Sequence, residues 1–300
     1  MQRVERHIII GDKNLDILCF LSKNLYNYVN YLIRQEFTKN GKMLSEYEVT
    51  TRLAKEKQDD YIALPAQTSQ QVIKLLFKNW KSFFKLCKCK DKLNGRPRLP
   101  KYKHKEKGRN VVVFTSQQCK LKDGHIHFPQ KTNINPLKTK VGNVCQVRII
   151  PQCSCHIIEV VYEKECIKTS GLEPDSYLSI DLGLNNLVTS YNSLNHKSFI
   201  VNGRPLKSIN QYFNKKRALL MSYIGSRGTS NRIGKLTLKR NCKVNDYMHK
   251  ASRFIVNYCI EHHIGTIVIG NNKDWKQNCN MGKRNNQNFV SIPFEKLISM

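Results

Sequence analysis

Acidic residues are scarce in this chain of 300 residues: 22 Asp and Glu stand against 51 Lys and Arg. The formal charge is +29 and the isoelectric point is near 9.8. A field of that sign and size concentrates polyanions around the molecule. Nucleic acid is the partner class it points to. Long apolar runs are also missing. No stretch approaches the ~18–20 residues a membrane helix needs. The short run Ile8–Ile10 falls below the core of a signal peptide. The reading is an intracellular protein with no membrane partner. Nor is there a Cys-x-x-Cys anywhere among the 11 cysteines. The nearest pairs are Cys87/Cys89 and Cys153/Cys155, and the second lies in an alternating run that would put both thiols on one strand face. An odd count without zinc spacing argues for reduced thiols, not a disulfide framework or a zinc site.

The length suits two or three domains. Val4–Ile10 reads as a strand ending at Gly11-Asp12. From Lys13 onward Leu15, Leu18, Leu21, Leu25, Tyr28, Val29 and Leu32 recur at helical spacing. A second helix is expected over about Ser45–Lys57. A third follows Pro65, with Val72, Leu75, Leu76, Trp80, Phe83 and Phe84 as its core stripe. Between Lys78 and Arg109 stand 13 Lys and Arg and only two acids, Asp91 and Glu106. Gly95-Arg96-Pro97-Arg98-Leu99-Pro100-Lys101-Tyr102-Lys103 within that run cannot continue a helix. Its aromatic and proline residues favour an ordered, phosphate-facing segment. Strands are expected at Val111–Thr115, Cys119–Lys122, His125–Phe128, Val144–Ile150 and His156–Tyr162, with Asp123-Gly124 as a hairpin turn. They read as a small antiparallel barrel, which the first strand could complete, with the helices as an insertion.

Glu173-Pro174-Asp175 reads as a linker. Tyr177 to Ser193 follows as strand, turn, strand, and Ser198–Val201 as a third strand. The helical region between Gly203 and Asn245 carries 11 Lys and Arg and no acid. A helix is expected from Asp246 to His263, capped by Asn245 or Asp246 and closed by Gly265, and Thr266–Ile269 reads as a buried strand. Asp181 sits at the centre of the first of these strands, behind Leu178 and Ile180. Hard divalent cations take carboxylate oxygens, and paired ions serve phosphodiester cleavage. A single Asp at a strand end more often belongs to a turn.

The wider pattern is specific. Ser179-Ile180-Asp181-Leu182-Gly183-Leu184-Asn185-Asn186-Leu187-Val188-Thr189 resembles the first nuclease motif of the TnpB/OrfB family of insertion-sequence proteins. Gly95–Lys103 resembles that family's basic Gly-x-Pro segment, and Asn245–Arg253 its bridging helix. Gly265–Gly270 with Trp275-Lys276-Gln277 resembles the next strand, and Ser291–Leu297 the following helix. The resemblance implies an RNA-guided DNA endonuclease that holds a guide RNA and a double-stranded DNA target, in the bacterial cytoplasm and on the nucleoid when bound to DNA. It implies a mixed α/β fold: a wedge-type β-barrel from residues 1–12 and 96–170, an inserted helical recognition lobe at 13–95, and an incomplete RNase H-like (RuvC) domain at 171–300. Base pairing would supply specificity, and the protein a short motif reader and backbone contacts.

By the same resemblance Asp181 is the catalytic and metal-binding acid for Mg²⁺ or Mn²⁺. Gln67, Gln70 and Gln71 open the third helix, where Gln amides can pair with adenine edges; Gln70 best matches a motif-reading position. Lys74, Arg96, Arg98, Lys101 and Lys103 join them as nucleic-acid contacts. Lys207, Lys215, Lys216, Arg217, Arg232, Lys235, Lys239, Arg240 and Lys243 are expected to grip phosphates, which positions without specifying. The chain departs from the family at the second acid. Where many members carry Glu after the bridging helix, this strand ends Ile269-Gly270-Asn271-Asn272, with Asp274 nearby. The Gly-Asn…Trp-Lys-Gln variant resembles a subgroup with a later glutamate. That acid, a third acid and a zinc-binding cysteine finger would lie beyond Met300, so a fragment of a longer protein, inactive by itself, is expected. A nuclease-dead RNA-guided repressor and a decayed remnant are the alternatives.

Overall fold

The computed structural model describes residues 1–89, 95–165, 171–225, 228–270 and 282–300. The chain divides into two compact units, 1–166 and 167–300.

The first unit opens with β1 (Gln2–Ile9), followed by four helices: α1 (Lys13–Asn40), α2 (Glu46–Lys55), α3 (Asp59–Ile62) and α4 (Ala66–Lys88). Each start has a local cause. The Asp12 carboxylate accepts from the Asn14 and Leu15 amides at 2.8 and 3.1 Å, and α1 ends on left-handed Gly41. Ser45 and Glu48 form a reciprocal capping box at α2, and Pro65 opens α4. Six strands follow: β2 (Val112–Thr115), β3 (Lys120–Lys122), β4 (His125–His127), β5 (Leu137–Lys138), β6 (Gln146–Pro151) and β7 (His156–Glu163). The Asp123-Gly124 turn takes positive φ at both residues, as a tight hairpin demands.

Helices and strands share one core. Leu25, Val29, Ile33, Leu76 and Trp80 are fully buried in the same cluster as Phe114, Val147, Ile149 and Val160. The expected barrel does not close. One sheet runs β1-β7-β6-β2 and a separate one β3-β4-β5. β1 pairs only with β7, and β2 only with β6. Helix α4 packs against β2. A helix on that strand buries apolar surface that a closing strand would otherwise cover. Glu159, buried on β7, joins Arg6 and Arg148 on the neighbouring strands at 2.7 Å each. Cys153 and Cys155 do not share a strand face: they lie in the β6–β7 turn, one exposed and one buried.

The second unit holds β8 (Glu173–Leu182), β9 (Asn186–Asn192), β10 (Ser198–Asn202), α5 (Arg204–Ile224), α6 (Asn231–Glu261), β11 (Ile264–Ile269), α7 (Lys283–Val290) and α8 (Phe294–Ile298). Its sheet runs β10-β9-β8-β11, antiparallel except for β11, which lies parallel to β8. The core forms between one sheet face, Leu178, Ile180 and Leu182, and the α6 stripe Val244, Met248, Ala251, Ile255 and Cys259, with Phe294 and Leu297.

Four expectations change here. Glu173-Pro174-Asp175 is the start of β8, because Glu173 pairs with Ile264, and proline is tolerated near a strand start. The helix expected from Asp246 begins fifteen residues earlier, at Asn231 behind the Ser230 cap, since no proline interrupts the run and Gly234 alone does not break it. Asn245 and Asp246 are therefore interior. β11, an edge strand of this sheet, is mostly exposed, Ile267 and Val268 on its two faces alike. Gly265 closes no helix; it is a β11 residue whose Cβ would meet the Glu173 carbonyl oxygen at 2.4 Å.

Gly265→Ala is therefore expected to destabilise the second unit by about 1–3 kcal/mol, read as a lower denaturant midpoint; an unchanged midpoint refutes the contact. A second test concerns Asp16, whose carboxyl the hydrogen bonds from Arg109 hold below the usual carboxylate range. That stability is fully present above the unfolded value of about 3.9 and is lost as pH falls through the lower folded value. Asp16→Asn should flatten the acid limb of a melting-temperature profile below about pH 4, and an unaltered limb would count against it.

Candidate nucleic-acid interface and carboxylate site

In the first unit the basic segment is an extended strap along α1. Polar side chains at helical spacing on α1 hold its backbone. Arg34 and Asn30 donate to the Pro100 carbonyl, the latter at 3.0 Å. Asn27 clamps Lys103 twice, donating to its carbonyl at 2.9 Å and accepting from its amide at 2.8 Å. Buried Lys23 donates to the Lys105 carbonyl, and Ser22 to that of Val111 at 2.8 Å. Asp16 receives Arg109 through two bonds of 2.7 and 2.6 Å. Gly108 is required at the one tight turn, where a Cβ would sit 2.4 Å from the His104 carbonyl oxygen. With the backbone satisfied, Arg96, Arg98, Lys101, Lys103, Lys105 and Lys107 all stand exposed. The α1 stripe was missed from sequence. Its signal was the polar residues Asn27, Asn30 and Arg34 at spacings of three and four along one amphipathic helix.

Gln70 and Lys74 are exposed on α4, and Gln71 is half-buried. Gln67 is differently placed: its amide donates to Gln117 at 2.8 Å and accepts from the Thr115 hydroxyl. Reading a base with it requires breaking that network.

In the second unit Arg232, Lys235, Lys239, Lys243, Lys250 and Arg253 are exposed on α6. On a helix of 3.6 residues per turn they fall within about 80° of one another, opposite the buried stripe, along about 32 Å. Asp246 lies on the same ridge and pairs with Lys250 at 2.8 Å. Lys215, Lys216 and Arg217 are exposed on α5, spread around the helix as consecutive residues must be. Lys207 donates to Asn185 at 2.8 Å. Arg240 is set apart. Its guanidinium donates to Asn210, Asn241 and the Ser291 carbonyl at 2.8, 3.0 and 2.8 Å, and burial lowers its pKa. It ties α5, α6 and the stretch before α8 together.

Asp181 projects from the face of β8 opposite Leu178, Ile180 and Leu182, directly across from Thr189. It is exposed and makes no hydrogen bond or ion pair among the described residues. Gly183 serves the β8–β9 turn, since a Cβ there would meet the Asn186 carbonyl oxygen at 2.8 Å. Ile269 pairs with Ile180, and the Gly270 amide reaches the Ile180 carbonyl at 3.4 Å. Gly270 is therefore the β11 neighbour of Asp181, where a longer acidic side chain would meet the same face. Asn271, Asn272, Asp274 and Trp275–Gln277 lie outside the described residues. Among the described residues no three His, Cys, Asp or Glu side chains come together as a metal site. One exposed carboxylate does not by itself fit Mg²⁺ or Mn²⁺, which take about six oxygen ligands. No described helix is long and apolar enough to cross a membrane.

Residues 158–276 match the OrfB_IS605 family, described as a probable transposase. No curated protein matches the sequence. Among solved structures, a Cas12f1–sgRNA–target DNA complex matches with a TM-score of 0.50 and 14% identity, over 93% of this chain and 70% of that one. A CRISPR-Cas12f ternary complex matches with a TM-score of 0.31 and 15% identity, over 95% and 69%. The first likeness is one of fold: a mixed α/β chain of the Cas12f kind.

Arg240→Ala is expected to lower the melting temperature by several degrees, whereas Lys239→Ala and Lys243→Ala stay within about 0.5 kcal/mol of the parent. The two lysine variants should instead each reduce the salt dependence of duplex DNA binding by roughly 0.9 in the log–log slope. Equal melting shifts in all three would void the distinction.

Proposed function

We propose, from the match of residues 158–276 to the OrfB_IS605 family, that the chain is a TnpB/OrfB-type protein and the guide-RNA- and DNA-binding body of an RNA-guided DNA endonuclease. The observation that carries the reading is the α6 ridge, six cations on one side of a helix whose other side is core. A row of that length follows a phosphate backbone and releases its counterions. It reads no sequence, which is the division of labour expected where base pairing supplies specificity. The strap is a second such row, in the wedge part of the proposed architecture. Residues 13–95 take the part of the recognition lobe, with Gln70 and Lys74 free to meet a short target-adjacent motif. Residues 171–300, with three antiparallel strands and a fourth parallel to the first, take the part of the RNase H-like domain.

Asp181 is the proposed nuclease carboxylate. Cutting belongs to a protein in which further acids join it, because a single carboxylate leaves a hard divalent ion short of ligands. Zinc has no proposed place in residues 1–300. A nuclease-dead, RNA-guided DNA-binding protein is the second reading; Gly270 beside Asp181 is compatible with both, and the further acids discriminate them.

With the RNA transcribed from its own locus, residues 1–300 are expected to retain a matched DNA duplex without nicking it in Mg²⁺. Asp181→Ala should leave that affinity within about twofold. Gel-shift and nicking assays read both. Mg²⁺-dependent cutting that Asp181→Ala abolishes would overturn the incompleteness of the site. Absence of any heparin or RNA retention would overturn the nucleic-acid reading altogether.

A further inference from the structure

Tyr102 lies at the centre of the strap. The guanidinium of Arg34 sits 4.6 Å from its ring centroid, and the residue is nonetheless 45% exposed. Its backbone is fixed on both sides. Pro100 is held by Asn30 and Arg34, and Lys103 by the two-bond clamp from Asn27. Asn30 in turn accepts from the buried Trp80 indole at 3.1 Å, so the anchoring reaches the core. Lys101 and Lys103, its neighbours in the chain, are exposed, and the Lys103 ammonium lies 5.4 Å from the Tyr26 ring centroid.

A strap needing only charge gains nothing from an exposed phenol ring at its midpoint. A flat aromatic, preset in orientation and with an exposed lysine on either side of it in the chain, matches one nucleotide with its two phosphates. The base stacks on the ring, and the ammonium groups meet the phosphates on either side. The ring can be used only by a base whose own face is free, so the ligand is an unpaired or unstacked nucleotide. Fixing the platform beforehand removes the ordering cost that a mobile loop would carry on binding.

We infer that Tyr102 is a stacking platform for one unpaired nucleobase of a bound strand. Lys101 and Lys103 act on the flanking phosphates, and Asn27, Asn30 and Arg34 are positioning residues. The inference rests on the nucleic-acid reading above.

The test uses the full 300-residue chain and three 12-nucleotide probes: oligo(rU), oligo(dT), and an abasic strand with the same phosphates. Tyr102→Ala is expected to weaken binding of a base-bearing probe by roughly 10-fold or more. The abasic strand should be unaffected, and the slope of log affinity against log salt unchanged. Tyr102→Phe should stay within about twofold of the parent. Lys101→Ala and Lys103→Ala should each lower the slope by roughly 0.7 for a single strand. A loss confined to oligo(rU) assigns the site to RNA, and one confined to oligo(dT) to DNA; a loss with both supports a site for either strand. Asn27→Ala, which removes both side-chain hydrogen bonds to the Lys103 backbone, should reproduce part of the base-dependent loss with little change in melting temperature. Equal loss on base-bearing and abasic probes, or no loss in Tyr102→Ala, overturns the platform while leaving phosphate binding intact. A parent chain that binds none of the three probes overturns the nucleic-acid reading and the platform with it.

Discussion

Asn30 links the inside of the first unit to its charged surface. Its carbonyl oxygen takes the indole hydrogen of Trp80, the largest fully buried side chain, and its amide gives a hydrogen to Pro100 on the basic strap. An indole N–H left without a partner in that core would be costly. The same residue that satisfies it also sets where the strap begins. From there the rest of α1 continues the pattern, with Asn27, Lys23, Ser22 and Asp16 each taking the next part of the strap. A segment with two prolines and a run of like charges cannot order itself through its own backbone. It is ordered by a helix that presents side-chain hydrogen bonds in place of a neighbouring strand.

The second unit solves the same charge problem by another route. Its cations are carried by a helix whose opposite side is buried against a sheet. Burial fixes the rotation of α6, and that rotation fixes the direction of Arg232, Lys235, Lys239, Lys243, Lys250 and Arg253 together. Arg240 lies on the flank between core and ridge and is engaged by α5 and by the residue before Ile292. Each unit thus holds many like charges close together with few acids among them, Glu106 in the strap and Asp246 on the α6 ridge. That is a standing repulsion, and it is relieved when a polyanion is bound.

Much of this was legible from residue order. In the first unit α1, α2 and α4 and the strands β2, β3, β4, β6 and β7 were legible from spacing, and the hairpin from its Asp123-Gly124 pair; the single-turn α3 and the two-residue β5 were not. The first nuclease motif and the later strand and helix pointed to a family that residues 158–276 match. The misreadings share a cause. Glu173-Pro174-Asp175 looked like a linker because proline and acids are read locally, yet a strand 90 residues away pairs with it. Gly265 looked like a helix end because it follows one; its small size answers a carbonyl on β8. A barrel was expected from strand count, while closure depends on whether the outer strands meet, and a helix packs on one of them.

The sequence by itself determined the excess of positive charge, the periodicity of most elements, and Asp181 between the apolar Ile180 and Leu182. These are properties of composition and of neighbours within a few residues. Only the tertiary structure decided which polar groups remain free to meet a ligand. Gln67 and Gln70 are three residues apart on one helix, yet one is taken up by Gln117 and Thr115 and the other faces solvent. Lys239 and Arg240 are adjacent, yet one is exposed and the other is bound to Asn210 and Ser291. The partners that settle each case lie about 30 to 50 residues away. No local pattern encodes them, because side-chain hydrogen bonds form only after distant backbone has been brought within 3 Å.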